Sequence, residues 1–200
     1  DLAPIAEPLT IAPHGTHRGA LQAGAHLAII GAGPIGVLAA MSALTYGAEP
    51  IMIDVVEERL DFARAHGVRY TINSANENGE EMVRKYTEGR MAELVMECSG
   101  ANSAVRSTLD LVSNAGRITL TGWPKEETPL PTDLITKKEV DIRGARTSAR
   151  EFEEAIHLIY SKKVDAASIL TKTVNLEEAS EAIRQIEKHP GDYMKVNVMV

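Results

Sequence analysis

Short apolar runs alternate with amphipathic stretches along most of this chain. Six of the runs predict β-strands, at residues 26–30, 51–54, 69–72, 93–97, 117–121 and 140–143. The stretches between them predict helices near residues 34–46, 57–66, 80–87 and 103–112, and a glycine closely follows each of the first three, as is common at helix ends. Strands that lack polar alternation and are separated by helices are typical of a parallel sheet covered on both faces.

The two ends of the chain follow a different pattern. The first twenty residues predict no clear element, whereas two capping-box patterns after residue 147 predict helices: Ser148 with Glu151, and Asn175 with Glu178. The alternating residues 194–200 predict a last strand with no evident partner. This C-terminal segment is too small to bury its own core, so we expect it to pack against the sheet or against a further lobe.

Composition and charge exclude several classes of function. A formal net charge of −7 argues against nucleic acid or an anionic membrane as the main partner. No apolar stretch reaches the roughly 18 residues that a membrane-spanning helix needs. The single cysteine, Cys98, excludes an internal disulfide and an all-cysteine zinc site. A cytoplasmic, reducing location is the simplest interpretation.

The turn after the first strand reads Gly31-Ala32-Gly33-Pro34-Ile35-Gly36, which matches the G-x-G-x-x-G fingerprint of dinucleotide-binding domains. Gly31 permits the tight turn, Gly33 lets a pyrophosphate approach the backbone, and Gly36 allows the helix to pack closely on the sheet. Pro34 fits the first helical turn, where its missing donor has no partner. The positive end of that helix then faces the phosphates. The fold predicted is an α/β Rossmann fold: a doubly wound, parallel, six-stranded sheet in the order 3-2-1-4-5-6.

Asp54 ends the second strand, where its carboxylate can accept hydrogen bonds from both hydroxyls of an adenosine ribose. A 2′-phosphate beside this carboxylate is repelled. Glu57 and Glu58 add negative charge and no basic residue directly follows Asp54, so NAD is favoured over NADP. Arg59 either lies along the adenine or is a solvent-exposed helix cation.

Two further turns follow the fourth and fifth strands, and we expect both to border the nicotinamide half of the cofactor because ligands lie outside the carboxyl ends of parallel strands. They are Glu97-Cys98-Ser99-Gly100 and Thr121-Gly122-Trp123. Cys98 is expected to be a small buried hydrophobic residue, since no His-and-acid arrangement accompanies it as a nucleophile. His14 and His17 lack a third ligand, so we expect a loop or surface role and no metal site in this chain.

Taken together, these features resemble the cofactor-binding half of a zinc-dependent medium-chain alcohol dehydrogenase. The resemblance is strongest to polyol dehydrogenases such as sorbitol dehydrogenase, and threonine and sugar-acid dehydrogenases are similar as well. The resemblance covers nearly the whole chain and rests on ordered motifs: Glu7-Pro8-Leu9, the glycine turn, Asp54 with Arg59, Glu97-Cys98-Ser99-Gly100, and residues 139–144. It implies hydride transfer from a secondary alcohol to NAD, with zinc polarising the alcohol oxygen.

The resemblance also implies roles for individual residues. Asp54 and Arg59 hold the adenosine, Ile35 packs near the pyrophosphate and the nicotinamide ribose, and Glu7 lies beside the catalytic zinc. The residues lining the nicotinamide are Thr121, Gly122, Trp123, Ala145, Arg146 and Thr147.

Several features depart from the family pattern. The N-terminal lobe that carries the family's catalytic cysteine and histidine does not occur in this sequence, so the zinc ligands lie outside it and the piece alone is expected to be inactive. Residues 1–21 correspond to a linker from that lobe, 22–147 to the NAD-binding domain, and 148–200 to a segment returning towards the lobe. Thr147 replaces a basic residue of sorbitol dehydrogenases, which argues against sorbitol itself. Pro13 is expected to interrupt the linker helix.

Two other interpretations account for part of the sequence. A non-enzymatic NAD-sensing regulatory domain shares the glycine turn and the acid, but it gives no reason for Glu7-Pro8-Leu9 or for the segment after Gly144. A methyltransferase also cradles an adenosine, but the third glycine and the sixth strand argue against it. In the dehydrogenase interpretation, the edge at the sixth strand predicts a homodimer or tetramer.

Overall fold

A computed structural model of the chain describes residues 2–189 and 191–199. Its helices are α1 (Ala3–Arg18), α2 (Pro34–Thr45), α3 (Glu57–Ala65), α4 (Gly79–Tyr86), α5 (Asn102–Leu111), α6 (Thr132–Lys138), α7 (Phe152–Tyr160), α8 (Ala166–Ile169) and α9 (Ala179–Lys188), with a 3-10 helix at Leu176–Glu178. Its strands are β1 (His26–Ile30), β2 (Glu49–Asp54), β3 (Tyr70–Asn73), β4 (Ala92–Glu97), β5 (Val112–Leu120), β6 (Asp141–Gly144), β7 (Leu170–Asn175) and β8 (Lys195–Met199).

The six predicted strands form one parallel sheet in the order β3-β2-β1-β4-β5-β6, which confirms the predicted topology. The central strand β1 is buried at all five positions. Its last residue, Ile30, pairs with Ile53 on β2 and with Glu97 on β4. The turns that follow these three strands therefore begin side by side at one edge of the sheet.

Two hydrophobic layers cover the sheet, as the continuous apolar strands predict. One face packs against α1, α2, α3 and α7 through residues such as Leu9, Leu38 and Leu60. The other face packs against α4, α5 and α6 through residues such as Val83 and Leu109. With both faces covered, the turns at the carboxyl ends of the strands are the part of the sheet left open to a ligand.

β5 begins earlier than the sequence predicts. The chain passes directly from α5 into β5 at Val112, although the pattern extends the helix to that residue. Ala115 has φ 53°, and the register of β5 against β4 shifts between Ala92 and Leu94. Regular pairing resumes at Arg117, which is where the apolar pattern starts.

α1 corrects two expectations about the first twenty residues. They form a 16-residue helix, and both Pro8 and Pro13 lie inside it without ending it. Each proline lacks a backbone donor and so costs the helix one hydrogen bond, to the carbonyl four residues earlier. Packing against α2 and α7 buries most of the helix, so tertiary contacts outweigh the low helix propensity of proline.

The two predicted capping boxes have different outcomes. The box of Asn175 and Glu178 is present and opens the 3-10 helix that leads into α9. The box predicted for Ser148 and Glu151 is wrong, because Glu151 is itself the residue before α7 and its carboxylate accepts a hydrogen bond from His14 on α1. A long-range partner thus replaces the local one.

The last predicted strand has a partner that the sequence does not reveal. β8 pairs in parallel with β7, whose residues are mostly exposed and give little apolar pattern. Val200, which the prediction includes in this strand, lies outside the described residues. Ala155, Leu158 and Ile169 join the core formed with α1 and α2, so the C-terminal segment packs on the sheet domain as expected.

Candidate functional site

The glycine turn has the geometry that its sequence predicts. Gly31 has φ 103°, a conformation that favours glycine, and its N–H donates to the carbonyl of Ile53 at 2.8 Å. A Cβ on Gly36 would lie 1.9 Å from the carbonyl oxygen of Gly31, so only glycine fits there. A Cβ on Gly33 would meet no atom within 4 Å, which leaves space above the turn for a ligand to approach the backbone.

The N-terminus of α2 points into that space. The first N–H that pairs within the helix is that of Val37, which donates to Gly33 at 3.0 Å. The N–H groups of Ile35 and Gly36 precede it, and no acidic residue occupies the first turn. The partial positive charge at this helix end stabilises an anion such as a pyrophosphate.

Asp54 is hydrogen-bonded directly to the glycine turn. Its carboxylate is buried, and Oδ2 accepts the N–H of Ala32 at 2.6 Å. Oδ1 accepts the N–H groups of Val55 and Val56 at 2.8 and 2.9 Å. A carboxylate has about four acceptor positions, and backbone N–H groups occupy three of those of Asp54. Oδ2 therefore has room for one ribose hydroxyl, where two are expected from the sequence.

A cavity of about 540 Å³ opens beside Asp54 on the side of the sheet covered by α4 and α5. Gly31 and Asp54 line one end, and Ser103 and Ser107 on α5 line the other. Its position next to the end of β2 suits an adenosine.

Negative charge surrounds this cavity. Glu77, Glu80 and Asp110 line it. Nearby, Glu57 accepts hydrogen bonds from Arg64 and, at 2.7 Å, from Asn73, and these bonds lower the pKa of Glu57. The surroundings disfavour an additional phosphate on the ribose. Glu58 is exposed and Arg59 is half-buried, both on α3.

The turns after β4 and β5 meet at Glu97. Its backbone carbonyl accepts the N–H groups of Thr121 and Gly122, both at 2.9 Å. Its fully buried carboxylate accepts, through Oε1, the N–H of Ser99 at 2.7 Å, the hydroxyl of Ser99 at 2.6 Å and the N–H of Gly100 at 2.9 Å. Glu97 belongs to a motif recognised in the sequence, but its role could not be predicted there, because the burial of an acid at the end of a strand leaves no local signal.

A third segment joins these two turns. The N–H of Ala145 donates to the carbonyl of Leu120 at 3.0 Å, which fixes the chain just after β6. The guanidinium carbon of Arg146 lies 4.0 Å from the ring centroid of Trp123, a cation–π contact on an exposed ring. Thr147 is exposed in the following loop. The residues expected to line the nicotinamide therefore lie on neighbouring segments at one edge of the sheet.

Cys98 lies between these turns and the core. Its N–H donates to the carbonyl of Ile30 at 2.9 Å, and its side chain packs against buried hydrophobic residues. Burial and the neighbouring Glu97 raise the pKa of the Cys98 thiol, so the nucleophilic thiolate is disfavoured.

Glu7 and the two histidines of α1 lie on the helix that precedes the sheet. Glu7 is exposed. The expected surface role of His14 is wrong: it is buried, and its Nδ1 lies 2.9 Å from Glu151 Oε1 on α7. His17 is half-exposed on the same helix, 3.5 Å from Glu154.

Neither a metal site nor a membrane-spanning helix is found among the described residues. Within residues 2–189 and 191–199, no group of three or more His, Cys, Asp or Glu side chains is arranged to hold a metal ion. Over the same residues, every helix is too short or too polar to cross a membrane.

Comparison with known proteins gives consistent matches over this chain. The family model for zinc-binding dehydrogenases matches residues 34–161. An uncharacterized zinc-type alcohol dehydrogenase-like protein of Haemophilus influenzae is 50% identical over 98% of this chain and 57% of its own length. The sorbitol dehydrogenase of Bacillus subtilis is 29% identical over 98% of this chain and 56% of its own length.

A solved structure gives the same result for the fold. A short chain alcohol dehydrogenase from Escherichia coli, in complex with NADH, superposes with a TM-score of 0.90 at 26% identity, over 97% of this chain and 58% of that protein. The chain therefore spans somewhat more than half the length of these relatives.

Proposed function

The chain belongs to the zinc-binding dehydrogenase family, and on that basis we propose that it is the NAD(H)-binding part of a zinc-type alcohol or polyol dehydrogenase. The whole protein transfers a hydride between NAD and a secondary alcohol, such as a polyol or a sugar acid. Relatives of similar sequence include sorbitol dehydrogenase, which supports the polyol class.

One observation carries this proposal: the carboxylate of Asp54 is hydrogen-bonded to Ala32 in the middle of the glycine turn. This bond brings a group that can bind a ribose next to a turn that can bind a pyrophosphate. The open space above Gly33 gives the phosphates access to the backbone. The N-terminus of α2 offers them N–H groups and partial positive charge. The residues of this chain therefore fit NAD.

The nicotinamide half is proposed to lie on the other side of the glycine turn, over the carboxyl ends of β4 and β5. The residues proposed to line it are Cys98, Ser99, Gly100, Thr121, Gly122, Trp123, Ala145, Arg146 and Thr147. When bound, NAD accepts the hydride at its nicotinamide ring. Ile35, at the start of α2, packs between the two halves of the cofactor.

The described residues do not fit a catalytic zinc, which needs about three protein ligands. We place the zinc ligands of the whole protein outside this chain and assign no step to the metal here. Glu7 is proposed to approach that centre from α1, where its side chain is exposed. Residues 1–21 then form the linker, 22–147 the NAD-binding domain, and 148–200 the segment that returns to the catalytic lobe.

The assembly is proposed to be a homodimer or tetramer that pairs through the edge of β6. β6 is the last strand of the sheet and pairs on one side only, with β5. Unpaired edges are templates for another chain, and two-fold pairing is the commonest solution.

A cytoplasmic location is proposed because the single cysteine is unpaired and partly buried.

Thermal unfolding tests the proposal. Saturating NADH is expected to raise the Tm of the 200-residue chain, because a ligand that binds only the folded state stabilises it. S-adenosylmethionine, the cofactor of the methyltransferase alternative, is expected to leave the Tm unchanged. A shift with S-adenosylmethionine and none with NADH contradicts the proposed function.

A further inference from the structure

We propose that Glu97 is a positioning residue that holds the turns after β4 and β5 in the shape required by the nicotinamide half of the cofactor. This inference rests on the NAD(H)-binding function proposed above and adds a residue that does not itself contact the cofactor.

Glu97 organises the turn after β4 through its side chain. Three donors converge on a single oxygen, Oε1: the N–H and hydroxyl of Ser99 and the N–H of Gly100, at 2.6 to 2.9 Å. Hydrogen bonds to a charged acceptor are roughly twice as strong as neutral ones. The carboxylate therefore sets the path of this turn.

The same residue organises the turn after β5 through its backbone. Its carbonyl accepts the N–H groups of Thr121 and Gly122. A Cβ on Gly122 would lie 2.4 Å from Glu97 Oε2 and 2.3 Å from the nitrogen of Gly100, so the two turns touch without room for a side chain. A Cβ on Gly100 would lie 2.9 Å from the nitrogen of Trp123. Movement of either turn thus requires movement of the other.

A purely structural role does not explain a carboxylate at this place. Glu97 is fully buried, and Oε2 has no hydrogen-bond partner within the described residues. A buried, half-paired carboxylate destabilises a fold relative to an apolar residue of similar size. An apolar side chain cannot accept the hydrogen bonds of Ser99 and Gly100. We therefore assign to the Glu97 carboxylate the task of fixing the geometry of the turns.

The adenosine half has separate anchors. The glycine turn is fixed by the N–H of Gly31 bonding to Ile53 and by the N–H of Ala32 bonding to Asp54, neither of which involves Glu97. Ser99 also lines the cavity beside Asp54, so loss of the Glu97 bonds is expected to weaken the binding of the nicotinamide half more than that of the adenosine half.

Calorimetric titration of the 200-residue chain with NADH and with ADP separates the two halves, because ADP lacks the nicotinamide and its ribose. Glu97→Gln keeps the shape of the side chain but makes its acceptor oxygen neutral, which weakens the hydrogen bonds to the turn. NADH is therefore expected to bind about tenfold more weakly, while the affinity for ADP is expected to change by less than about twofold. The fluorescence change of bound NADH, which reports the surroundings of the nicotinamide, is expected to decrease as well.

A second variant and a matched control complete the test. Glu97→Asp keeps the charge but shortens the side chain, which weakens its hydrogen bonds to Ser99 and Gly100. It is expected to give a smaller loss with the same selectivity, which decides the matter if Glu97→Gln does not fold. Glu93→Gln makes the same chemical change at the opposite end of β4, where Glu93 accepts the N–H of His26, and is expected to change neither affinity.

Two results overturn the inference: an equal loss for NADH and ADP in Glu97→Gln and Glu97→Asp, or no loss for either ligand. Failure of the unmodified chain to bind both NADH and ADP is a distinct result, because it overturns the proposed function and the inference together.

Discussion

The Oδ2 atom of Asp54 lies 2.6 Å from the backbone nitrogen of Ala32, so the acid that ends β2 is hydrogen-bonded to the turn that ends β1. Two more backbone N–H groups, those of Val55 and Val56, fix the other oxygen. Because the carboxylate is held by backbone, its position does not depend on a flexible partner. A negative charge is therefore preorganised where the adenosine ribose is proposed to bind.

Two glycines in the same turn are predicted to respond differently to alanine. Gly33→Ala adds a methyl group to open space, so the Tm is expected to stay unchanged while NADH affinity falls at least about tenfold, because the methyl blocks the pyrophosphate. Gly36→Ala places its Cβ 1.9 Å from a backbone oxygen. This variant is therefore expected to lose NADH affinity and also about 1–3 kcal/mol of the free energy of unfolding.

Gly144→Ala is the control for the glycine pair, since a Cβ there also meets nothing within 4 Å. Thermal unfolding and NADH titration of the three variants check the prediction. A Gly33→Ala variant that binds NADH as tightly as the unmodified chain would show that no phosphate approaches this turn.

The hydrogen bond between His14 and Glu151 is predicted to stabilise the packing of α7 on α1 in a pH-dependent way. Burial of Glu151 opposes its ionisation, but hydrogen bonds from His14 and from the backbone outweigh burial and lower the pKa of the carboxyl. Because the pKa of Glu151 is lower in the folded than in the unfolded state, its ionised form stabilises the fold at pH values above the unfolded-state pKa of about 4.3. This stabilisation is lost as the pH falls through the folded-state pKa.

Glu151→Gln is therefore expected to destabilise the chain by about 1–3 kcal/mol at pH 7, and the difference from the unmodified chain is expected to shrink below about pH 4.3. Glu153→Gln, an exposed position on the same helix, is the matched control. Urea unfolding at a series of pH values measures both. A difference that stays constant down to pH 3 argues against the ionised carboxylate of Glu151 as its source.

The chain alone is predicted to hold no stoichiometric zinc and to oxidise no alcohol. Within the part of the chain that the structure describes, no three potential ligands converge, and a catalytic zinc needs about that number. Elemental analysis after purification in zinc-containing buffer, with an alcohol oxidation assay on the same sample, checks this. One tightly bound zinc per chain overturns the assignment of the ligands to another part of the protein.

How far the sequence predicts this structure depends on whether local pattern or distant contact decides each feature. The parallel sheet follows from apolar runs alternating with helices, and its strand order follows from the dinucleotide-binding fingerprint at Gly31, Gly33 and Gly36. α1 and β7 are missed because their local patterns, with prolines in one and exposed residues in the other, are weak and packing decides them.

In the site, too, local pattern decides some features and distant contacts decide others. The position of Asp54 is predictable because it ends a strand next to the glycine turn. The burial of His14 against Glu151 and of Glu97 beneath two turns depends on residues far apart in the sequence or on turn geometry. No spacing rule in one sequence reveals either.

The edge of β6 is predicted to carry a two-fold interface. The N–H of Ala145 points to β5, where it bonds to Leu120, and alternate residues of a strand point the same way, so the N–H of Ile142 points outward. Ile142→Pro removes this outward donor and is expected to weaken the dimer more than the fold. Ile142→Thr keeps the donor and serves as the control.

Sedimentation at micromolar concentration measures the assembly of the unmodified chain and both variants. A single 21.6 kDa species for the unmodified chain contradicts the prediction.

The choice between NAD and NADP is predicted to depend on the charge of Asp54. Asp54→Asn keeps the size of the side chain but removes its negative charge, so it is expected to reduce the preference for NADH over NADPH. Asp61→Asn, which removes an exposed charge from α3, is the control and is expected to keep the preference.

The most direct test of the NAD(H)-binding function is a fluorescence titration of the unmodified chain with NADH and NADPH at physiological salt. One NADH is expected to bind per chain, at least about tenfold more tightly than NADPH, because Asp54 and the surrounding acids repel a 2′-phosphate. Equal affinity for the two cofactors, or no binding of NADH at all, contradicts the account.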